Sequence, residues 1–210
     1  MIRKNRFDVI VATQNRGKLR EIRSVLKDLG FKIRGLMDFK NLPEVEEDGK
    51  SFVENGLKKA RFYCKLLGKL TIADDSGLEV DALGGRPGIY SARYAGEKAS
   101  DEENRKKLLQ ALGGIPISKR AAAFKCAIAM VSPDGWELVT EGRCRGRIGF
   151  KEVGRKGFGY DPIFILPQYG KTMAQLSLKE KNRISHRGRA LRKLKKLLKD
   201  FPQVKRHWNN

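Results

Sequence analysis

Residues 8–29 constrain the fold of this chain more than any other segment. Residues 8–13 form an apolar run typical of a buried strand, and residues 17–29 carry apolar side chains at helical spacing. The helical pattern stops before Gly30, a residue type that readily adopts the left-handed conformation found at helix ends. Because a strand, a polar turn and a helix follow one another here, we predict an α/β protein whose helices flank a sheet.

Further helices and strands are predicted along the chain. Two serines, each followed three residues later by a glutamate, have the spacing of a capping box at a helix start: Ser51 with Glu54, and Ser100 with Glu103. The two helices are predicted to end near Gly68 and Gly113, and strands are predicted at residues 31–36 and 70–73.

A long hairpin is predicted in the second half of the chain. Residues 121–131 and 136–144 flank Ser132-Pro133-Asp134-Gly135, where a proline in second place and a glycine in fourth suit a type I turn. Since a hairpin is antiparallel and strand–helix units are typically parallel, we predict a mixed sheet. A last helix, near residues 188–201, has leucines along one stripe and basic residues on the other face, so the stripe is predicted to be core or a partner contact.

Length and composition favour one globular domain in the cytoplasm. The chain has 210 residues, 40% of them apolar, which is enough for a well-buried core. Charges interrupt every apolar run well short of the roughly 20 residues that span a membrane, and residues 1–8 lack the apolar region of a secretory signal. Three scattered cysteines indicate buried free thiols rather than a disulfide framework or a zinc site.

Positive charge is the one extreme of the composition. The chain carries a formal net charge of +21, and residues 179–206 alone hold 12 basic and 2 acidic residues. Such a charge attracts anions, which include nucleic acids and small polyphosphates. A well-solvated surface also explains much of this charge. The charge therefore indicates an anionic partner but does not distinguish nucleic acid from a small polyphosphate.

The turn that joins the first strand to the first helix is rich in hydrogen-bond donors. It comprises Thr13, Gln14, Asn15, Arg16, Gly17 and Lys18. A helix start presents unpaired amide groups and positive partial charge, which suit a phosphate or carboxylate. The Walker spacing is absent, and similar turns occur in α/β proteins that bind no ligand, so the turn alone leaves both interpretations open.

Two acidic groups in this basic chain are candidates for metal or proton chemistry. Asp74 and Asp75 follow the predicted strand at residues 70–73, and successive strand residues point to opposite faces, so one of the two is expected to enter a given cleft. A single carboxylate can bind magnesium or accept a proton from water, although an Asp-rich turn with capping side chains explains the pair equally well. Glu44, Glu46, Glu47 and Asp48 form a solvated loop or supply a second metal ligand.

A glycine-spaced aromatic segment lies in GRKGFGYDPIF at residues 154–164. Phe158 and Tyr160 are poorly explained as core, because the glycines beside them weaken regular structure, and such aromatics suit stacking on a planar base. Polar groups that can face the edge of a base are Asp161, Lys181, Ser185, His186 and Arg187. A histidine in a basic segment is more often a surface residue when considered alone.

Five segments together resemble the inosine/xanthosine triphosphate pyrophosphatase family, which acts on non-standard purine nucleoside triphosphates. They are TQNRGKLREI (13–22), SFVENGLKKA (51–60), ADDSGLEVDALGGRPGIYSARYAG (73–96), GFGYDPIF (157–164) and EKNRISHRG (180–188). Their order and spacing match as well, from about Phe7 to Leu198. The resemblance implies an elongated mixed sheet with flanking helices, in two lobes around a central cleft, with residues 1–210 as a single domain and a basic helix and tail from about 189.

The resemblance also implies an activity. The family hydrolyses ITP, dITP and XTP to the monophosphate and pyrophosphate, and so clears deaminated purines from the nucleotide pool. Magnesium as cofactor and a homodimer follow from the same resemblance. The substrate is then a small nucleoside triphosphate, no membrane is involved, and nucleic acid binding is expected only as a side activity of the basic tail.

Residue roles are carried over by position. Residues 13–18 resemble the triphosphate-binding turn, and Lys59 resembles a second phosphate lysine. Asp75 matches the general base and magnesium ligand, Asp74 supports it, and Glu47 matches an acidic residue near the metal. Matches on the nucleoside side are Ser76 at a substrate contact, Phe158, Gly159, Tyr160 and Asp161 at the base-stacking turn, and Lys181, His186 and Arg187 around the purine edge.

Alternatives from other classes make different predictions. A nucleic-acid-binding protein would bind DNA or RNA in a salt-sensitive way without hydrolysis. A silent scaffold that assembles through the leucine stripe leaves Lys18, Asp74 and Asp75 unexplained. A pyrophosphatase for modified pyrimidine triphosphates is disfavoured by the GFGYDPIF and ISHRG segments.

Overall fold

The computed structural model describes residues 7–200, which form eight strands and five helices. The strands are β1 (Phe7–Val11), β2 (Phe31–Gly35), β3 (Leu70–Val80), β4 (Pro87–Gly88), β5 (Ala121–Val131), β6 (Glu137–Ile148), β7 (Phe164–Leu166) and β8 (Lys171–Thr172). The helices are α1 (Arg16–Leu26), α2 (Phe52–Leu67), α3 (Asp101–Ala111), α4 (Leu178–Ile184) and α5 (His186–Asp200).

The sheet is mixed, as predicted. Its strand order is β2-β1-β3-β5-β6-β7-β8, and β4 pairs with β3 outside this path. β1 is parallel to both β2 and β3, whereas the pairs β3–β4, β6–β7 and β7–β8 are antiparallel. The turn between β5 and β6 closes with Gly135 N–H donating to the Ser132 carbonyl at 3.0 Å. The predicted α/β class is therefore confirmed.

One predicted boundary is wrong and it affects the site. The strand predicted at residues 70–73 extends to Val80, so Asp74 and Asp75 lie within β3 rather than at its end. The strand continues because Asp74 and Asp75 are 0% and 5% exposed and have charged partners that replace water. The sequence alone placed the two adjacent carboxylates at the strand end and left a turn and a functional site equally open.

The chain divides into two compact units, each with its own core. Of the described residues, the first unit comprises 7–75, 126–142 and 187–200, and the second comprises 76–125 and 143–186. Strand β3 contributes Leu70–Asp75 to the first unit and its remaining residues to the second. A single two-lobed domain with a cleft remains a prediction.

In the first unit, strand alternation separates two apolar clusters. Val9, Val11 and Ile72 belong to the cluster that includes residues of α1 and α5, whereas Ile10 and Ala73 belong to the cluster that includes residues of α2. Odd and even positions of each strand thus point to different helices, because successive side chains alternate across a sheet. The leucine stripe of α5 is core: Leu191, Leu194 and Leu198 are fully buried, while Phe201 lies outside the described residues.

The capping boxes predicted for α2 and α3 differ in their completeness. Ser51 accepts from the Glu54 amide, but the Glu54 carboxylate accepts from the Lys50 amide instead of from that of Ser51. At α3 both halves form, between Ser100 and Glu103. All three cysteines are buried free thiols, and no helix within residues 7–200 is long and apolar enough to cross a membrane.

In the second unit, Arg120 is buried on backbone carbonyls. Its guanidinium, in a residue 4% exposed, donates to the carbonyls of Leu112, Ile115 and Gly149 at 2.7–2.8 Å. These bonds link the end of α3 to the segment after β6. Burial lowers the pKa of Arg120, and the three carbonyls satisfy the donors that water would otherwise occupy.

We expect Arg120→Met to lower the free energy of unfolding by roughly 3 kcal/mol or more, because a buried acceptor left without its donor costs about 1–3 kcal/mol. Urea denaturation measures the change. Lys119→Met is the matched control, since Lys119 is exposed, and it should stay within about 0.5 kcal/mol of the unaltered protein. Equal stability of the two variants would contradict the role given to Arg120.

Candidate active site

The turn after β1 is organised by its own side chains. Thr13 Oγ1 accepts from the Asn15 amide at 3.1 Å, and Asn15 Oδ1 accepts from the Lys18 amide at 3.0 Å, so Asn15 is the N-cap of α1. The helix begins at Arg16, one residue before the predicted start. Gln14, Asn15 and Arg16 are exposed, and Thr13 is 7% exposed. The turn therefore presents polar groups at the start of a helix, where an anion is favoured.

Alternation along β3 sends the two adjacent aspartates to different helices. Asp74 shares its face with Ile72, on the side of α1 and α5, and Asp75 shares its face with Ala73, on the side of α2. The prediction that the two carboxylates point to opposite faces is thus supported by the clusters on either side. Apart from Lys18, which acts on both, each aspartate consequently has different charged neighbours.

Asp74 lies in a buried cluster of opposite charges. Its carboxylate contacts Lys18 Nζ at 2.5 Å and accepts from Arg187 Nε at 2.8 Å and Nη2 at 3.3 Å. The Cys126 thiol donates to the same carboxylate at 3.0 Å. Arg187 also donates from Nη1 to Glu21 Oε2 at 2.6 Å, so one guanidinium joins β3 to α1.

The two aspartates have pKa values shifted in opposite directions. Burial opposes ionisation of Asp74, but Arg187 and Lys18 outweigh it and hold its pKa well below the usual range. Burial raises the pKa of Asp75, with Lys18 and Lys59 acting against it and Glu47 adding to it. Asp74 is therefore a fixed negative charge, whereas Asp75 is the carboxylate more disposed to accept a proton.

The acidic loop before α2 is fastened to that helix. Tyr63 Oη donates to the Pro43 carbonyl at 2.9 Å, and the Gly49 amide donates to Asn55 Oδ1 at 2.7 Å. Lys59, which is 9% exposed, contacts Glu47 Oε1 at 2.5 Å. These contacts hold Glu47 close to a helix rather than in bulk solvent.

A cavity of about 220 Å³ lies in the first unit between the turn and this loop. Its lining comprises Ala12, Thr13, Gln14, Leu36, Glu44, Val45, Glu47, Lys59 and Tyr63. Of the predicted phosphate and metal residues, Thr13, Gln14, Glu47 and Lys59 therefore share this cavity, whereas Lys18 and Asp75 are not part of its lining.

In the second unit, Phe158 lies on a turn stabilised by hydrogen bonds. Asp161 accepts from the Phe158 amide at 3.0 Å and from the ammonium of Lys181. Lys181 Nζ lies 4.4 Å from the centre of the Phe158 ring, within the range of a cation–π contact. Phe158, Asp161 and Lys181 are thus brought together, as one face of a base subsite requires.

Tyr160 is part of the core, although the glycines beside it predicted otherwise. The residue is 5% exposed and belongs to the apolar core, and its hydroxyl donates to the Ser91 carbonyl at 2.8 Å. Burial raises its pKa, in keeping with a hydroxyl away from water. The core encloses the Tyr160 ring. Tyr160 therefore stabilises the turn and has no exposed ring face on which a base could stack.

His186 and Ser76 also lie in the second unit. The His186 ring is 4% exposed and stacks on Phe124, with ring centres 4.6 Å apart and planes at 16°. The expectation that a lone histidine in a basic segment lies on the surface does not hold for this residue. Ser76 is half-buried on β3, directly after Asp75.

Residues 9–197 match the family model described as the Ham1 family. The chain belongs to the Ham1 family. Among its relatives, a dITP/XTP pyrophosphatase of Geobacter sulfurreducens is 54% identical over 187 residues, 89% of this chain and 94% of that protein. Another dITP/XTP pyrophosphatase, of Shouchella clausii, is 49% identical over 91% of this chain and 96% of its own. The family predicted from the five motifs is confirmed.

Solved structures of the Ham1 family share the fold. The Ham1 protein of Staphylococcus aureus superposes with a TM-score of 0.80 at 44% identity, covering 92% of this chain and 98% of its own. A HAM1 protein of Coxiella burnetii gives 0.82 at 42% identity, covering 92% of this chain and 99% of its own. The strand and helix assignment is thus that of the family.

Arg187 has contacts that the motif did not predict. The family resemblance implies that its guanidinium lies at the purine edge, but the structure places it, 1% exposed, between Asp74 and Glu21. Contact of Arg187 with a base remains a prediction. Glu21 and Cys126 were missed because an acidic residue on a helix and an isolated cysteine carry no pattern of their own; only the fold brings them to Asp74.

A magnesium ion suits the carboxylates of the first unit. Within residues 7–200 no group of three or more His, Cys, Asp or Glu side chains is placed to hold a metal. Magnesium needs fewer, since one or two carboxylates together with water and substrate phosphates complete its coordination. Asp75 and Glu47 are the carboxylates that would meet this requirement: Asp75 is buried on β3, and Glu47 lines the cavity beside Lys59.

We expect Arg187 and Glu21 to be energetically coupled. A double-mutant cycle with Arg187→Met and Glu21→Met, followed by urea denaturation, should give a coupling free energy of about 1–3 kcal/mol, as found for contacting residues in one network. The exposed pair Arg61 and Glu137, which contact at 2.6 Å, is the control and should give about 0.2–1 kcal/mol. Coupling near zero for the buried pair would contradict the cluster.

Proposed function

We propose that this chain hydrolyses the non-standard purine nucleoside triphosphates ITP, dITP and XTP to the monophosphate and pyrophosphate, and so clears them from the nucleotide pool. The observation that carries the proposal is the geometry around β3, where Asp74 and Asp75 are buried, Lys18 contacts Asp74 at 2.5 Å and Lys59 contacts Glu47 at 2.5 Å. The dITP/XTP pyrophosphatase names of relatives that cover most of the chain support the substrate class. Location in the cytoplasm, where these nucleotides occur, belongs to the same proposal.

The triphosphate binds in the first unit, on the turn of residues 13–18 and on Lys59. Lys18 and Lys59 each contact a carboxylate at 2.5 Å, Asp74 and Glu47 respectively. Phosphate oxygens would compete with those carboxylates for the ammonium groups. Because Asp74 also has Arg187, it retains a positive partner when Lys18 turns to phosphate.

Asp75 acts as general base in the proposed step. A water oxygen forms a bond to the α-phosphorus while the bond from that phosphorus to the bridging oxygen breaks, and pyrophosphate leaves with the electron pair. The water proton passes to the Asp75 carboxylate, whose pKa burial raises above its ordinary value. Mg²⁺, when bound by Asp75 and Glu47, supplies positive charge to the phosphate oxygens.

Base selection depends on donors that face the purine edge. Inosine and xanthosine carry an oxo group where adenosine carries an amino group, so the ammonium of Lys181 pairs with the first and opposes the second. A site with unpaired buried polar groups can reject a ligand by roughly four to five orders of magnitude. Phe158 provides the stacking face, and His186, from the same unit, is a further residue of the proposed edge. Guanine also carries the oxo group, so rejection of GTP requires a contact at the purine 2-position.

We expect the purified protein with magnesium to convert ITP, dITP and XTP to monophosphate and pyrophosphate, with little product from ATP. Phosphorus NMR identifies which bond is broken. No hydrolysis with any divalent metal, together with salt-sensitive binding of DNA, would favour the nucleic-acid-binding alternative instead.

Asp75→Asn tests the base within the same assay. Turnover should fall by a factor of at least about 10², because general-base catalysis contributes typically 10²–10⁴-fold. Asp81→Asn, at an exposed aspartate, is the matched control and should retain full turnover. Circular dichroism should show both variants folded, and near-normal turnover in Asp75→Asn would overturn the assignment.

A homodimer is proposed from the family resemblance. Light scattering after size exclusion at micromolar concentration should give twice the chain mass of 23.8 kDa. A mass of one chain across that range would contradict the proposal and leave the hydrolytic function untouched.

A further inference from the structure

Side chains of helix α3 bind the backbone of the turn that carries Phe158. The contacts of Asp101 and Arg105 with Gly159 are termed the grip. Asp101 Oδ2 accepts from the Gly159 amide at 2.6 Å, and Arg105 Nη1 donates to the Gly159 carbonyl at 2.9 Å. Asp101 and Arg105 are four residues apart, and so lie on the same face of α3. Both backbone polar groups of a single residue are therefore bound by neighbouring side chains of one helix.

The turn requires contacts from other parts of the fold because its glycines leave its backbone flexible. Phe158 lies between Gly157 and Gly159, which have φ angles of +81° and +58°, in the region that favours glycine. At Gly157 a side chain is also excluded, since a Cβ would lie 2.0 Å from Asp161 Oδ2. Glycine in such positions gives the backbone more freedom than any other residue type.

Together with the α3 contacts to Gly159, two further hydrogen bonds fix the backbone of Phe158. Its own amide donates to Asp161 at 3.0 Å, and its carbonyl accepts from the Asp161 amide at 3.2 Å. The peptide that follows Phe158 is held through the Gly159 amide by Asp101. Backbone on both sides of the ring is thus fixed, which sets the direction of the Phe158 Cα–Cβ bond, while Lys181 Nζ contacts the ring face.

Helix α3 is itself well anchored. Its first turn has the complete capping box of Ser100 and Glu103, and Arg105 is held by Glu152 at 2.7 Å. Asn104, 2% exposed, donates to the Ala92 carbonyl and accepts from the Ala95 amide. The grip on Gly159 therefore starts from a rigid element.

We propose that Asp101 and Arg105 are positioning residues for base binding: through Gly159 they hold the Phe158 ring in the orientation that stacks on the purine. The role rests on the proposed function, in which Phe158 is the stacking face. Neither residue is proposed to touch the reacting atoms, so their loss should affect base binding and leave the phosphate side intact.

Hydrogen exchange tests the grip without any substrate. Asp101→Ala should increase exchange of the Gly159 amide at least roughly tenfold, because a bonded amide is protected until the segment opens. Asp101→Asn, which keeps a side-chain oxygen acceptor, should restore most of the protection. Glu102→Ala is the matched control, an exposed acidic residue in the same helical turn. Unchanged exchange in Asp101→Ala would overturn the grip.

Kinetics tests the consequence for base binding. Asp101→Ala and Arg105→Met should each raise KM for ITP roughly 5- to 20-fold, a part of the stacking contribution of a base on an aromatic ring. The change in kcat should be less than threefold, and the inhibition constant of pyrophosphate, which has no base, should not change. Lys106→Met, at the exposed neighbour of Arg105, should behave like the unaltered protein.

The outcomes separate this role from the proposed function. Hydrolysis by the unaltered protein with normal KM in both variants would overturn the positioning role alone. A fall in kcat with unchanged KM would also overturn it, because partial unfolding lowers the active fraction without weakening base binding. If the unaltered protein hydrolyses none of the nucleotides, the proposed function fails and the positioning role with it, while the exchange result still decides whether the grip exists.

Discussion

The fully buried charge of Asp74 is the constraint around which the first unit is built. A carboxylate away from water is unstable unless cations and donors replace the water. Lys18 from α1, Arg187 from α5 and the Cys126 thiol from β5 supply them. The start of α1, the start of α5 and the middle of β3 are therefore held in register by one carboxylate.

This cluster determines what the neighbouring carboxylate can do. Because strand side chains alternate, Asp75 faces α2 and lies away from the Arg187 and Cys126 contacts of Asp74, although Lys18 acts on both carboxylates. Its surroundings combine burial with the negative charge of Glu47, which raise its pKa, against the two lysines. Two adjacent residues of one type thus become a fixed charge and a candidate base through geometry alone.

Local sequence patterns predicted most of the helices and strands. They did not predict the contacts that these elements make with distant parts of the chain. Capping serines, the type I turn and the apolar periodicities depend on residues a few positions apart, and α2, α3 and the hairpin were predicted from them. The length of β3 was not predicted, because the continuation of the strand through Asp74 depends on Arg187, 113 residues later. Tyr160 was misassigned for the same reason: its hydroxyl partner, the Ser91 carbonyl, is 69 positions away.

Glycine-rich turns make this dependence on distant partners more general. A turn such as that of Phe158 needs glycines for its left-handed backbone, and the same glycines leave it without intrinsic stiffness. Rigidity must then come from elsewhere in the fold, here from α3, more than 50 positions earlier in the chain. The motif specifies the shape that the turn can adopt, and the residues that keep it in that shape lie outside the motif. Under the proposed role of Asp101 and Arg105, base binding therefore depends on α3 as well as on the aromatic residue itself.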